Sequence, residues 1–124
     1  MKKYLIIIFF ISLFMLSCSK PNITEEDAIN TCGVASFDQL AWAQTLISGK
    51  GSCQYIYKGA TITMYDYKGE KVFYFKNHLS SLGICTQAVY NCSGTVIIQA
   101  IASAKAWDDF ETNRKNEKLL WEKL

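Results

Sequence analysis

Apolar and polar positions divide the chain into an uncharged N-terminal run, a polar connector, and a region whose hydrophobic period passes from helical to alternating and back. Lys2 and Lys3 precede the uncharged stretch from Tyr4 to Leu16. A bilayer-crossing helix needs roughly 20 apolar residues, whereas a secretory signal needs about 7–15 behind a basic start. Residues 1–17 therefore read as a signal peptide. SKPNITEEDAINT, residues 19–31, holds the only proline and has no apolar period, so residues 18–31 read as a flexible tether.

Ser36-Phe37-Asp38-Gln39 has the spacing of a capping box, and Leu40, Ala43, Leu46 and Ile47 follow at helical spacing before Gly49 and Gly51. This predicts a helix of about three turns, with Trp42 beside its buried stripe. The pattern then becomes β-like. ATITMYDYKGEKVFYF (60–75) forms two β-rich runs around Lys68-Gly69, and TQAVYNCSGTVIIQAI (86–101) forms two around Cys92-Ser93-Gly94. Folding the first pair about Lys68-Gly69 sets Ile62 opposite Phe75 and Met64 opposite Phe73 on the more apolar face. That face is the expected core beneath the helix. Thr63, Tyr65, Tyr67, Val72 and Tyr74 fall on the other.

From Trp107 or Asp108 to Lys123, the apolar points Trp107, Phe110, Leu120 and Trp121 predict a closing helix, with Glu111–Lys115 and Lys118–Glu122 as i,i+4 pairs. The preceding AIASAKA could extend either the strand or this helix. The fold expected for residues 32–124 is a single α+β domain: an N-terminal helix, an antiparallel sheet of about four strands in two hairpins, and a C-terminal helix.

Composition changes the picture first at the N-terminus. Met15-Leu16-Ser17-Cys18 resembles the bacterial lipobox, in which a small residue precedes a cysteine that is acylated and becomes the mature N-terminus. Ser17 fits; Leu16 and Met15 depart from the small residue and the leucine usual there. On this reading Cys18 is a lipid anchor. Acyl chains contribute ~0.8 kcal/mol per buried methylene, so two or three of them hold a small domain to a membrane. About a hundred residues remain after residues 1–17 are removed, enough for one small domain. Losing Lys2 and Lys3 brings the 13 basic residues level with the 11 acidic ones. Without a basic excess, nucleic acid is not an expected partner.

Of the 5 cysteines, Cys32, Cys53, Cys85 and Cys92 remain beside Cys18, an even set in an exported chain. They read as two disulfides. Zinc sites made of cysteine pair their ligands two to four residues apart, and redox sites favour C-x-x-C; neither spacing occurs, so neither a metal nor a cofactor is expected. Three pairings are open. As a strand, residues 86–91 place Cys85 and Cys92 roughly 20 Å apart, beyond the reach of about 7 Å that a disulfide allows. In an antiparallel meander the residues before the first and third strands share one end, and the turn at Cys92 lies at the other. A helix antiparallel to the first strand brings Cys32 toward Cys92. The preferred pairing is Cys53–Cys85 with Cys32–Cys92.

Catalytic chemistry finds little support. His78, the sole histidine, lies in KNHLSSLG beside Ser80 and Ser81, with no G-x-S-x-G elbow. Asp38, Asp66 and Glu70 have no apolar setting that would raise a carboxyl pKa for acid catalysis. Asp66 is expected to face Lys71 across the hairpin, and Asp108 and Asp109 to favour a helix N-terminus. Glu25-Glu26-Asp27 lacks the spacing of a calcium loop. The feature with interaction chemistry is the second face, Tyr65, Tyr67 and Tyr74, joined by Tyr90 from the next hairpin. Tyrosines supply contact area at low entropy cost. If the closing helix covers that face, they become a second core layer instead.

CGV at 32–34, the helix with Trp42, YKGEKVFYF (67–75), VYNCSGTVI (89–97) and NRKNEKLLW (113–121) together resemble a group of small envelope lipoproteins of Bacteroidota. The resemblance implies a compact α+β domain on a lipid anchor and brings no activity with it. Only Cys18 carries over as a functional residue. By analogy with other lipoproteins, Ser19 after Cys18 suits the outer membrane. The expectation is a non-catalytic domain that holds an envelope or extracellular protein, peptide or glycan; the alternative is a structural or assembly subunit of an envelope complex, and a small hydrolase ranks last.

Overall fold

The computed structural model describes residues 32–78 and 83–124. The signal peptide, Cys18, the tether, Ser80 and Ser81 lie outside these residues. Strand alternation builds the centre of the domain. In β1 (Thr61–Tyr67) and β2 (Glu70–Lys76), β-branched and aromatic residues alternate between two faces. Lys68 and Gly69 close the hairpin with φ of 50° and 80°. Positive φ at both central residues marks the turn whose twist matches paired strands. Ile62 faces Phe75 and Met64 faces Phe73, the register expected from the sequence.

β3 (Gln87–Tyr90) and β4 (Val96–Gln99) form the second hairpin, and β3 pairs antiparallel with β2. A fifth strand, β5 (Lys115–Glu122), pairs with β1, giving the order β4-β3-β2-β1-β5. It replaces the second half of the expected closing helix. Without it β1 would be an open edge with unpaired N–H and C=O groups, and that long-range gain outweighs the local helical spacing of residues 115–122. The helix α2 spans Ala104–Asn113 instead, capped by Ser103, whose hydroxyl accepts the Ala106 N–H at 3.2 Å. Arg114 then turns extended and pairs with Glu111 at 2.7 Å. Asp108 and Asp109 therefore sit in the middle of α2, not at its N-terminus.

The first helix is also shorter than expected. A 3-10 turn at Phe37–Gln39 is followed by extended Leu40 and then by α1 (Ala41–Ile47). Ser36 does not cap it, because its hydroxyl bonds the Asp38 carboxylate, while the Gln39 side-chain oxygen accepts the Ala35 N–H at 3.0 Å. Leu40 breaks the helix by turning into the core.

The sheet lies between two helices. On one face Ile62, Met64, Phe73, Phe75 and Ala88 pack against Leu40, Ala43 and Leu46 of the α1 region. Trp42 stacks on Tyr90 at 5.1 Å between ring centres and donates its indole N–H to the Cys92 carbonyl at 3.0 Å. Gly94 makes that fit possible, since a Cβ there would lie 2.4 Å from the indole. On the other face Phe110 of α2 sits over Tyr65, Tyr67, Val72 and Tyr74. Two disulfides tie opposite ends. Cys32–Cys92 has Cα atoms 5.2 Å apart at the end holding the hairpin turns, and Cys53–Cys85 has them 5.3 Å apart at the other end. This is the pairing that the meander favours.

Candidate functional site

The face carrying Tyr65, Tyr67 and Tyr74 is not a surface. All three are buried beneath α2, with the Phe110 ring 5.8, 5.4 and 5.9 Å from theirs. The Arg114 guanidinium lies 4.5 Å from the Tyr65 ring centre and covers the remaining edge. Burial pushes the Tyr65 and Tyr74 phenols up to about 12. Tyr90 is buried on the opposite face against Trp42. The expected binding face thus becomes a second core layer, because α2 has an aromatic anchor to bury and this face is the apolar surface within its reach.

The exposed aromatic residues lie elsewhere, in a stretch that the hydrophobic pattern leaves unassigned. Tyr55 is 71% exposed and Tyr57 36%, while Ile56 between them is buried in the core. Asn77, at the end of β2, holds this segment. Its side chain is fully buried, donates to the Tyr55 carbonyl at 2.8 Å and accepts the Tyr57 N–H at 3.0 Å. In extended backbone the carbonyl of one residue and the N–H two residues on point the same way. One amide side chain therefore supplies both bonds that a neighbouring strand would make, which is how a buried polar group becomes tolerable.

Other bonds complete the clamp. The Lys123 ammonium donates to the Ile56 carbonyl at 2.5 Å. The Gly59 N–H donates to the Lys123 carbonyl at 2.7 Å, and the Lys123 N–H to the Ala60 carbonyl at 2.9 Å. Cys53 anchors the other side through Cys85. With Ile56 turned inward, Tyr55 and Tyr57 project to solvent from the same side, following the two-residue period of extended chain. Their only sequence signal is the short β-rich run Tyr55-Ile56-Tyr57 before Lys58-Gly59. Their exposure depends on Asn77, which no local pattern connects to them.

Replacing Asn77 with alanine is expected to destabilise the domain by about 2 kcal/mol, because two hydrogen bonds are lost and their backbone partners stay partly buried. Hydrogen exchange should show the Tyr57 amide losing protection far more than the amides of β1. Equal loss at both would mean that Asn77 supports the sheet generally.

At the opposite end, ion pairs close the clefts around the β1–β2 turn. Asp66 pairs with Lys71 and accepts from Asn116, and these bonds hold its carboxyl below the usual carboxylate range. Asp109 lies 2.6 Å from the Lys68 ammonium and accepts from the Tyr67 hydroxyl, and it is shifted down in the same way. One cleft, about 480 Å³, is lined by Asp66, Glu70, Lys71 and Ser93; a second, about 570 Å³, lies between Lys68, Ile97, Ala106 and Asp109. Carboxylates kept ionised in this way are poorly suited to act as general acids. His78 is exposed, beside the clamp. Among the described residues no His, Cys, Asp and Glu side chains group as metal ligands, and no helix is long and apolar enough to cross a membrane. No family model, curated protein or solved structure matches the chain.

Proposed function

We propose that this is a lipid-anchored protein of the cell envelope whose domain works by contact, with Tyr55 and Tyr57 as its working surface. The observation that carries this reading is the placement of the two ends. Cys32, where the domain joins the tether, is bonded to Cys92 at the turn end. The clamped tyrosines lie at the far end of β1, about 20 Å away at ~3.4 Å per residue. Acylation at Cys18 would thus tether the domain by the end opposite the tyrosines. The lipobox and the likeness to Bacteroidota lipoproteins support an envelope lipoprotein, and Ser19 after Cys18 supports an outer-membrane address. An envelope or extracellular protein, peptide or glycan is the partner class.

A second reading, an assembly subunit, is favoured by a different surface. Among the described residues β4 is an unpaired sheet edge, residues 77–104 contain no Asp, Glu, Lys or Arg, and Ile97 and Ile101 are 43% and 72% exposed. Anchoring itself is tested by Cys18→Ala. The native protein is expected to incorporate labelled palmitate and fractionate with the outer membrane, and the variant to do neither. Label retained by the variant would contradict lipidation at Cys18.

A further inference from the structure

The backbone of the tyrosine platform has little left to offer a ligand. The Tyr55 and Ile56 carbonyls and the Tyr57 N–H are bonded to Asn77 and Lys123, and the Tyr57 carbonyl accepts the Ala60 N–H at 3.0 Å. A peptide strand therefore cannot add here through main-chain hydrogen bonds. Recognition falls to side chains: two tyrosines whose Cα atoms lie about 7 Å apart along extended chain, and the charges around them.

Those charges are one-sided. Segments 53–60, 76–78, 83–87 and 121–123 lie at this end, and their charged side chains are Lys58, Lys76 and Lys123 with the acid Glu122. Lys58 directly follows Tyr57. The turn end differs, since there Lys68 and Lys71 are each matched by a carboxylate.

We propose that the Tyr55–Tyr57 platform binds an anionic glycan, with sugar rings lying on the phenols and carboxylate or sulfate groups meeting the lysines around them. This inference rests on the reading of that end as the contact surface. Exposed phenol rings suit the apolar face of a pyranose, and the lysine excess selects a charged polymer over a neutral one. A nucleic-acid single strand would also combine stacking with charge. Oligothymidylate in the titration below separates the two.

The full-length lipoprotein in detergent is titrated at low salt with polygalacturonate, with its neutral methyl ester, with polyglutamate and with oligothymidylate. Binding is expected for polygalacturonate alone. It should weaken about tenfold or more in Tyr55→Ala/Tyr57→Ala and in Lys58→Glu, with both variants unfolding at the native temperature. No binding of polygalacturonate, equal binding of polyglutamate or oligothymidylate, or indifference to loss of the rings would each overturn the proposal. If polygalacturonate fails while a photo-crosslinker at position 57 still yields a discrete protein adduct, the glycan inference falls and the contact surface stands. If both fail, both readings fall.

Discussion

Phe110→Ala should destabilise the domain by about 3–5 kcal/mol, the usual cost of emptying a buried aromatic site. Phe110 is the α2 residue that is fully buried, and its ring meets Tyr65, Tyr67, Tyr74 and Trp107. Removing it takes the central contact out of the second core layer. For a domain with a total stability of roughly 5–15 kcal/mol, that loss brings α2 to the edge of detachment. Urea titration should show the midpoint falling sharply.

Alkaline titration gives an independent check. Folding raises the Tyr65 and Tyr74 pKa from 10.0 to about 12, so the folded state favours the protonated phenols. Their contribution to stability is complete below pH ~10 and disappears as pH rises through about 12. In Phe110→Ala these phenols should ionise closer to their ordinary value. A variant with native stability and native tyrosine titration would mean that α2 does not cover the sheet.

Removing the disulfides is the second large effect. Cys53–Cys85 spans a sequence separation of 32 residues and Cys32–Cys92 one of 60. In the chain-entropy model each contributes about 4 kcal/mol by restricting the unfolded chain. Together they account for a large share of the stability of so small a domain, so a variant with all four cysteines replaced by serine should be unfolded at 37 °C. The two paired variants should differ in where they loosen. Cys53→Ser/Cys85→Ser frees one anchor of the tyrosine segment and should speed exchange of the Tyr57 amide, whereas Cys32→Ser/Cys92→Ser should loosen the residues before α1. Non-reducing peptide mapping should find no Cys85–Cys92 link. A stable domain without either bond would contradict this account of its stability.

Strict alternation around Lys68-Gly69 made the first hairpin and its register legible from residue types alone. The disulfide pairing followed from the meander, because extended residues 86–91 hold Cys85 away from Cys92. β5 was not legible. Glu117, Lys118, Leu119 and Leu120 are good helix formers, and they become a strand because the β1 edge offers backbone partners that no local window contains.

The sequence separated the two faces of the first hairpin correctly without showing that α2 lies across the one bearing the tyrosines. The candidate site was the least visible feature. Tyr55 and Tyr57 are held outward by Asn77, some 20 residues away, and by Lys123 from the far end of the domain. A buried amide acting as a strand leaves no periodic trace.

The contact reading is tested most directly by incorporating a photo-crosslinking residue at position 57, and separately at Glu70 in the opposite turn, in the lipid-anchored protein in intact cells. A discrete crosslinked species is expected from position 57, lost in Tyr55→Ala, and none from position 70. Crosslinking from position 70 but not from 57 would contradict it.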